Sequence, residues 1–236
     1  TIFVVQAEDG IRDLGRSRGL GDVEKRQGET SHKVSIGIYN TLDGKTVYLQ
    51  TGDPTDRYFT NISWSPDQQT LYVIELNRDQ NHSQLVAYDA STGIKQGVLY
   101  EEMNPRYVEP LNPIEFLPWD KNAFVYQSQR DGFNHLYLFN TEKLKTPKNG
   151  KNGESTWKEY VQVKQLTSGS WIVQELVGFN KKTRKIIIRS TEISPEQSDL
   201  YSVDIKNSKR TLLDSGSGVH ADEISKNTGI YAADWF

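Results

Sequence analysis

A pattern of four short strands separated by turns recurs along this chain of 236 residues, and it constrains the fold more than any other feature. The first complete copy is predicted to contain strands at residues 62–64, 71–76, 84–89 and 94–100. Successive copies begin near residues 62, 114, 175 and 222, which gives repeat lengths of 52, 61 and 47 residues. Four strands in a unit of this length are typical of a β-propeller blade, which is stable only when neighbouring blades cover its faces.

The repeat predicts an all-β chain that forms a partial, open β-propeller. We expect about three complete four-stranded antiparallel blades. Half a blade is expected before them, at residues 33–39 and 46–49, and another half after them, from residue 219 onward. Because these units do not add up to a closed ring, we expect the sequence to be a fragment of a larger propeller.

The composition agrees with an all-β fold and excludes several classes of function. Aromatic residues make up 11% of the chain and occur in short runs with Val, Ile and Leu, as they do in strands. The net charge of −3 provides no basic face for nucleic acid. No apolar run is long enough for a membrane-spanning helix. The absence of Cys excludes disulfides and cysteine nucleophiles in this chain, and no motif for a metal or other cofactor is present.

Three motifs resemble landmarks of one known family. They are W-S-P-D at residues 64–67, R-D-G-F-N-H-L-Y at residues 130–137 and Q-L-T-S-G-S-W-I-V at residues 165–173. In this order and at about this spacing they resemble the N-terminal β-propeller of the dipeptidyl peptidase IV family, which consists of prolyl oligopeptidase-like serine exopeptidases. The W-S-P-D motif occurs in many propellers, whereas the other two are more specific. The similarity covers residues 28–236.

This resemblance implies a fold, a partner domain and an activity for the parent protein. Family members have an eight-bladed propeller that caps an α/β-hydrolase domain, and they remove N-terminal dipeptides that carry Pro or Ala in the second position. This chain would then be a non-catalytic part that gates substrate access and lines the N-terminal side of the active site. The parent would be a homodimer located in the periplasm or at the cell surface. The alternative is a stand-alone propeller scaffold or ligand-binding module without a hydrolase domain.

No catalytic residue is predicted in this chain. The family nucleophile lies in a G-x-S-x-G turn between a strand and a helix. The only match here is residues 15–19, where two arginines flank Ser17 and no buried strand precedes the motif.

The N-terminal segment is predicted to lie outside the propeller domain. Residues 6–13 correspond to a translated sequencing-adapter oligonucleotide, and the next fourteen residues resemble a tail of the same origin. We therefore divide the chain into an unstructured or non-native segment at 1–27, adapter-like at 6–27, and a propeller domain at 28–236.

Two residues are candidates for binding substrate. Residues 106–111 connect one blade to the next and resemble the family loop that faces the pocket for a substrate side chain. Tyr107 could form a wall of that pocket, and Glu109 could meet polar or cationic groups. The adjacent pair Glu101 and Glu102 imitates the family's amine-binding glutamates, but its position in the repeat favours a solvated charge pair.

Overall fold

Every regular element that the structure describes is a β-strand. The computed structural model describes residues 2–7, 33–145, 159–214, 220–224 and 231–235. The strands of the first sheet and the first complete blade are β1 (Ile2–Ala7), β2 (Ser35–Asn40), β3 (Thr46–Tyr48), β4 (Arg57–Trp64), β5 (Thr70–Asn77), β6 (His82–Asp89) and β7 (Lys95–Met103). The strands of the second blade are β8 (Glu115–Leu117), β9 (Asp120–Ser128), β10 (His135–Lys145) and β11 (Glu159–Gln165). The remaining strands are β12 (Val173–Asn180), β13 (Lys185–Ser190), β14 (Asp199–Asp204), β15 (Arg210–Leu212), β16 (His220–Ile224) and β17 (Tyr231–Trp235).

The sheet topology confirms three complete blades in an open, partial propeller. β4–β7, β8–β11 and β12–β15 each form a four-stranded antiparallel sheet with its strands side by side in chain order. The two-stranded sheet of β16 and β17 follows as the expected half blade.

The first sheet differs from the prediction. It has three strands rather than two, because β1 pairs with β2 along its whole length. Residues 2–7 thus form a strand, whereas the sequence interpretation described 1–27 as unstructured or non-native; the assignment of this segment as non-native stays a prediction. Residues 8–27 lie outside the described residues, and the domain boundary at 28 stays a prediction.

The alternation of apolar side chains along β5 explains how the blades are joined. Leu71 and Val73 point towards the first sheet and pack in a cluster with Ile36. Tyr72 and Ile74 point the other way and pack in a cluster shared with the second blade. Because successive side chains in a strand point to opposite faces, a strand buried on both faces must be apolar throughout.

The second blade repeats this arrangement. On β9, Phe124 and Tyr126 face the first blade, whereas Ala123 and Val125 face the third blade. Each pair of neighbouring sheets in this part of the chain thus shares one hydrophobic cluster. The stability of a blade depends on both of its neighbours.

Burial of tyrosines in these clusters predicts a sharp loss of stability at alkaline pH. Burial raises the pKa of Tyr201 to about 12, and it also raises the pKa of Tyr88, Tyr100, Tyr126 and Tyr137. Above about pH 10 the unfolded chain loses these protons while the folded chain keeps them, so stability falls as the pH rises. In a titration followed by tyrosinate absorbance, we expect these five of the twelve tyrosines to ionise only as the protein unfolds. Ionisation of all twelve near pH 10 with the fold intact would contradict this.

The start of β4 also differs from the prediction. The sequence placed the strand at residues 62–64, whereas β4 begins at Arg57. A bulge interrupts the pairing of β4 with β5 between Thr60 and Ser63, and Asn61 adopts a positive φ of 51°. The bulge breaks the period-two pattern from which a strand is recognised in a sequence.

Candidate functional site

One end of the blades carries a continuous set of turns and connections, which we call the loop face. It consists of residues 78–81, 104–114, 129–134, 166–172 and 191–198. In an antiparallel four-stranded blade, the turn between the second and third strands and the connection to the next blade lie at the same end. Backbone hydrogen bonds join these segments: the N–H of Val108 donates to the carbonyl of Gln80 (2.7 Å), and the N–H of Thr191 donates to the carbonyl of Ile172 (3.1 Å).

Residues 107–114 of the loop face alternate between exposed and covered side chains. Tyr107, Glu109 and Leu111 are exposed, and the exposed fractions of Tyr107 and Leu111 are 58% and 48%. Val108 and Ile114 between and after them are buried. The segment is thus a strip that presents an aromatic, an acidic and an aliphatic side chain on one side. We call these three side chains the exposed row.

Three hydrogen bonds hold this strip on its covered side. Besides the bond from Val108 to Gln80, the side-chain amide of Asn61 donates to the carbonyl of Pro110 (2.8 Å). The side-chain amide of Asn112 donates to Oε1 of Gln127 (2.6 Å). The bulge in β4 therefore has a local consequence, since it carries the Asn61 side chain that holds Pro110.

The R-D-G-F-N-H-L-Y motif forms the β9–β10 hairpin, and its histidine joins the motif to the next connection. His135 is buried, and its Nε2 lies 3.0 Å from the carbonyl of Gly169, to which it donates. Its Nδ1 lies 3.1 Å from the hydroxyl of Thr167, and its ring meets Trp171 edge to face. Thr167, Gly169 and Trp171 all belong to the third motif, so the two specific motifs describe one structural unit.

An arginine of the same hairpin stacks between two blades. The guanidinium of Arg130 lies 3.9 Å from the ring centroid of Tyr137 and 4.6 Å from that of Tyr100. Tyr100 and Ser128 donate their hydroxyls to Glu102 at 2.9 and 2.7 Å. This cluster joins the outer strand of the first blade to the hairpin of the second.

The two glutamates of the Glu101–Glu102 pair have different surroundings. Glu102 is partly buried and hydrogen-bonded, so the expectation that both glutamates are solvated is wrong for Glu102. Glu101 is exposed and contacts His82 and Gln84. Neighbouring residues on β7 point to opposite faces, and the pair therefore does not converge on one ligand.

The predicted candidates Tyr107 and Glu109 lie on the loop face and belong to the same exposed row. Within the described part of the chain, the carboxylate of Glu109 has no hydrogen-bond or ion-pair partner, and Tyr107 makes no ring contact. Their assigned role in binding substrate stays a prediction. The sequence interpretation missed Leu111 and the amides of Asn112, Gln127 and Asn134. The residue types at 107–114 show no apolar–polar alternation, and the three amides lie on separate segments, so no local signal in the sequence indicated these residues.

Further apolar side chains are exposed on the loop face. Phe133, Ile172 and Ile193 are each at least one-third exposed, on three different segments of this face. Scattered exposed apolar residues are common on protein surfaces, and these three lie on the same face as the exposed row. Over the residues that the structure covers, no three His, Asp or Glu side chains come together as metal ligands. No helix long and apolar enough to span a membrane occurs in the same residues.

A match to a family model identifies the family of proteins to which this chain belongs. Residues 26–235 match the model described as the dipeptidyl peptidase IV (DPP IV) N-terminal region. The chain belongs to the DPP IV N-terminal-region family. The resemblance inferred from the three motifs is thereby confirmed.

Solved structures and a curated relative agree with the membership in the DPP IV family. A crystal structure of a protein assigned as a dipeptidyl aminopeptidase IV from Bacteroides ovatus ATCC 8483 is similar, with 48% identity and a TM-score of 0.74 over 87% of this chain and 29% of that chain. The structure of Porphyromonas gingivalis dipeptidyl peptidase 4 is 26% identical, with a TM-score of 0.71 over 88% and 27% of the two chains. The inactive dipeptidyl peptidase 10 of Rattus norvegicus is 28% identical over 187 residues, which are 75% of this chain and 22% of the rat protein. The chain thus spans about a quarter of the length of these relatives.

Proposed function

We propose that this chain is a non-catalytic propeller part of a serine dipeptidyl peptidase, and that its loop face lines the path of the substrate. The observation that carries the proposal is the exposed row of Tyr107, Glu109 and Leu111. Hydrogen bonds on the opposite side of the strip fix this row on a connection between blades. Membership in the DPP IV family and similarity to two bacterial relatives named as dipeptidyl peptidases support it. The parent protein then cleaves N-terminal Xaa-Pro or Xaa-Ala dipeptides with a nucleophile that lies elsewhere.

In this proposal the exposed row contacts the N-terminal residue of the substrate. The ring of Tyr107 forms an apolar wall for a side chain, because an aromatic side chain supplies a large contact area at little cost in conformational entropy. The carboxylate of Glu109 accepts hydrogen bonds from polar or cationic groups.

The same proposal assigns a partner domain to the loop face. Its exposed apolar side chains face a C-terminal α/β-hydrolase domain, and the chamber between the two domains excludes folded proteins. We further propose that the parent is a homodimer and acts outside the cytoplasm, in the periplasm or at the cell surface.

Replacement of Tyr107 tests the proposal. In the full-length parent protein, Tyr107→Ala is expected to raise KM for Xaa-Pro p-nitroanilides by about tenfold with little change in kcat, because a buried aromatic contact contributes about 1–2 kcal/mol. The matched control is Ile94→Ala, since Ile94 is 51% exposed but lies in the β6–β7 turn at the opposite end of the blade. Equal kinetic constants for wild type and Tyr107→Ala would contradict the proposed role.

A second candidate function is ligand or partner binding without hydrolysis. The name of the rat relative, an inactive dipeptidyl peptidase, favours it. A stand-alone scaffold or binding module would be a further form of this alternative. Purified full-length protein that folds correctly but hydrolyses neither Xaa-Pro nor Xaa-Ala p-nitroanilides would favour this candidate over the first.

A further inference from the structure

We propose that the side-chain amides of Asn112, Gln127 and Asn134 act as a positioning device for the exposed row. The proposal rests on the proposed function, because it assumes that Tyr107 contacts substrate. It assigns a role to three polar residues that do not themselves reach the exposed side of the strip.

The three amides form a chain that crosses from the connection between blades to the β9–β10 hairpin. Oε1 of Gln127 accepts hydrogen bonds from Nδ2 of Asn112 (2.6 Å) and from Nδ2 of Asn134 (3.0 Å). Asn134 also donates to the carbonyl of Val173 (2.7 Å) and its own carbonyl accepts from the N–H of Val173 (2.8 Å). Gln127 and Asn134 are 5% and 6% exposed. The chain therefore connects the strip to the rigid end of β9 and to the start of the third blade.

The hydrogen bond of Asn112 lies on the covered side of the strip, opposite to the exposed row. Side chains at even positions of residues 107–114 are covered and those at odd positions are exposed, so Asn112 is held on the side of the strip opposite to the exposed row. Two prolines, Pro110 and Pro113, restrict the backbone on either side of Asn112. The bonds of Val108 and Pro110 remain when the Asn112 bond is lost, but the end of the strip beside Leu111 then has no side-chain anchor, and the exposed row is oriented less precisely towards the substrate.

Kinetics of the full-length protein with Xaa-Pro p-nitroanilides test this role. Asn112→Ala removes the donor and is expected to raise KM about fivefold, the effect of one hydrogen bond of ordinary strength, with kcat within about twofold of wild type. In a Tyr107→Ala background the same substitution is expected to cause a smaller rise in KM, because the part of the effect that acts through Tyr107 is already lost. Asn122→Ala is the matched control: Asn122 also donates its amide to a side chain, that of Glu142, but near the other end of β9.

Two further substitutions keep the proposal testable if Asn112→Ala fails to fold. Asn112→Gln retains an amide donor at this partly buried position and is expected to keep KM within about twofold, whereas Gln127→Leu removes the acceptor and is expected to raise KM about fivefold. Equal KM values for wild type, Asn112→Ala and Gln127→Leu would overturn the inference while the effect of Tyr107→Ala stands. A KM rise from Asn112→Ala that is undiminished in the Tyr107→Ala background would also overturn it. No effect of Tyr107→Ala itself would instead contradict the proposed function, and the inference with it.

Discussion

Phe124→Ala is expected to destabilise the propeller by about 3–5 kcal/mol, the usual cost of removing a buried aromatic ring. Phe124 is fully buried between the first and second blades. Its ring stacks on Phe139 with a centroid distance of 5.2 Å and an interplanar angle of 4°, and it also contacts Phe116 and Tyr72. Loss of the ring would leave a cavity in the interface between the first and second blades, and both blades need this interface for their stability. Denaturant unfolding of the protein that contains this region measures the loss.

Ile94→Ala is the control for this experiment. It also shortens a large apolar side chain, but Ile94 is 51% exposed and lies in the β6–β7 turn, away from the loop face. Its replacement is expected to cost less than about 1 kcal/mol. If the two variants lose the same stability, the packing between the first and second blades is not as described.

Arg57→Leu is expected to cost about 3–5 kcal/mol, because it removes the nearest cation from a buried carboxylate. Glu75 is buried, and its carboxylate lies 2.9 Å from the guanidinium of Arg57. The hydroxyl of Tyr88 also donates to Glu75, and Lys95 lies 3.9 Å away. Lys95 lies farther from Glu75 than Arg57 does and therefore replaces the lost charge only in part. Thermal and denaturant unfolding both measure the effect.

Two further variants separate the buried charge from the loss of the arginine side chain. Arg78→Leu breaks the exposed pair with Asp56, which has a similar distance of 3.0 Å, and is expected to cost less than about 1 kcal/mol. Adding Glu75→Gln to Arg57→Leu removes the unpaired charge and is expected to recover part of the stability. A double variant that is less stable than Arg57→Leu alone would show that the uncompensated charge is not the cause.

The blades could be predicted from sequence because their central strands are apolar on both faces. Strands such as β5 and β9 must fill two clusters at once, and this requirement leaves a clear run of apolar residues between turn residues. The pairing of β1 with β2 could not be predicted. Residues 6–27 resembled non-native sequence, and all of residues 1–27 were therefore assigned outside the propeller domain. The start of β4 was missed because the bulge at Asn61 hides the alternation.

The candidate site could be predicted only in part. Tyr107 and Glu109 were found because they lie in a connection beside recognisable motifs. The chain of amides from Asn112 through Gln127 to Asn134 had no such signal, since contacts between side chains on different strands leave no period in the sequence. The different surroundings of Glu101 and Glu102 likewise depend on which face of β7 each residue occupies, and on the tyrosine and serine that meet Glu102 from two blades.

Thiol labelling of the full-length parent protein tests most directly whether the loop face lines the substrate path. This chain contains no Cys, so single cysteines can be introduced at Tyr107 on the loop face and at Ile94 on the opposite end, with any reactive cysteines elsewhere in the parent replaced. We expect a bulky maleimide at position 107 to abolish hydrolysis of Xaa-Pro p-nitroanilides, and a competitive inhibitor to protect that position from labelling. The same label at position 94 should leave hydrolysis unchanged. Full activity after complete labelling at position 107 would contradict the account.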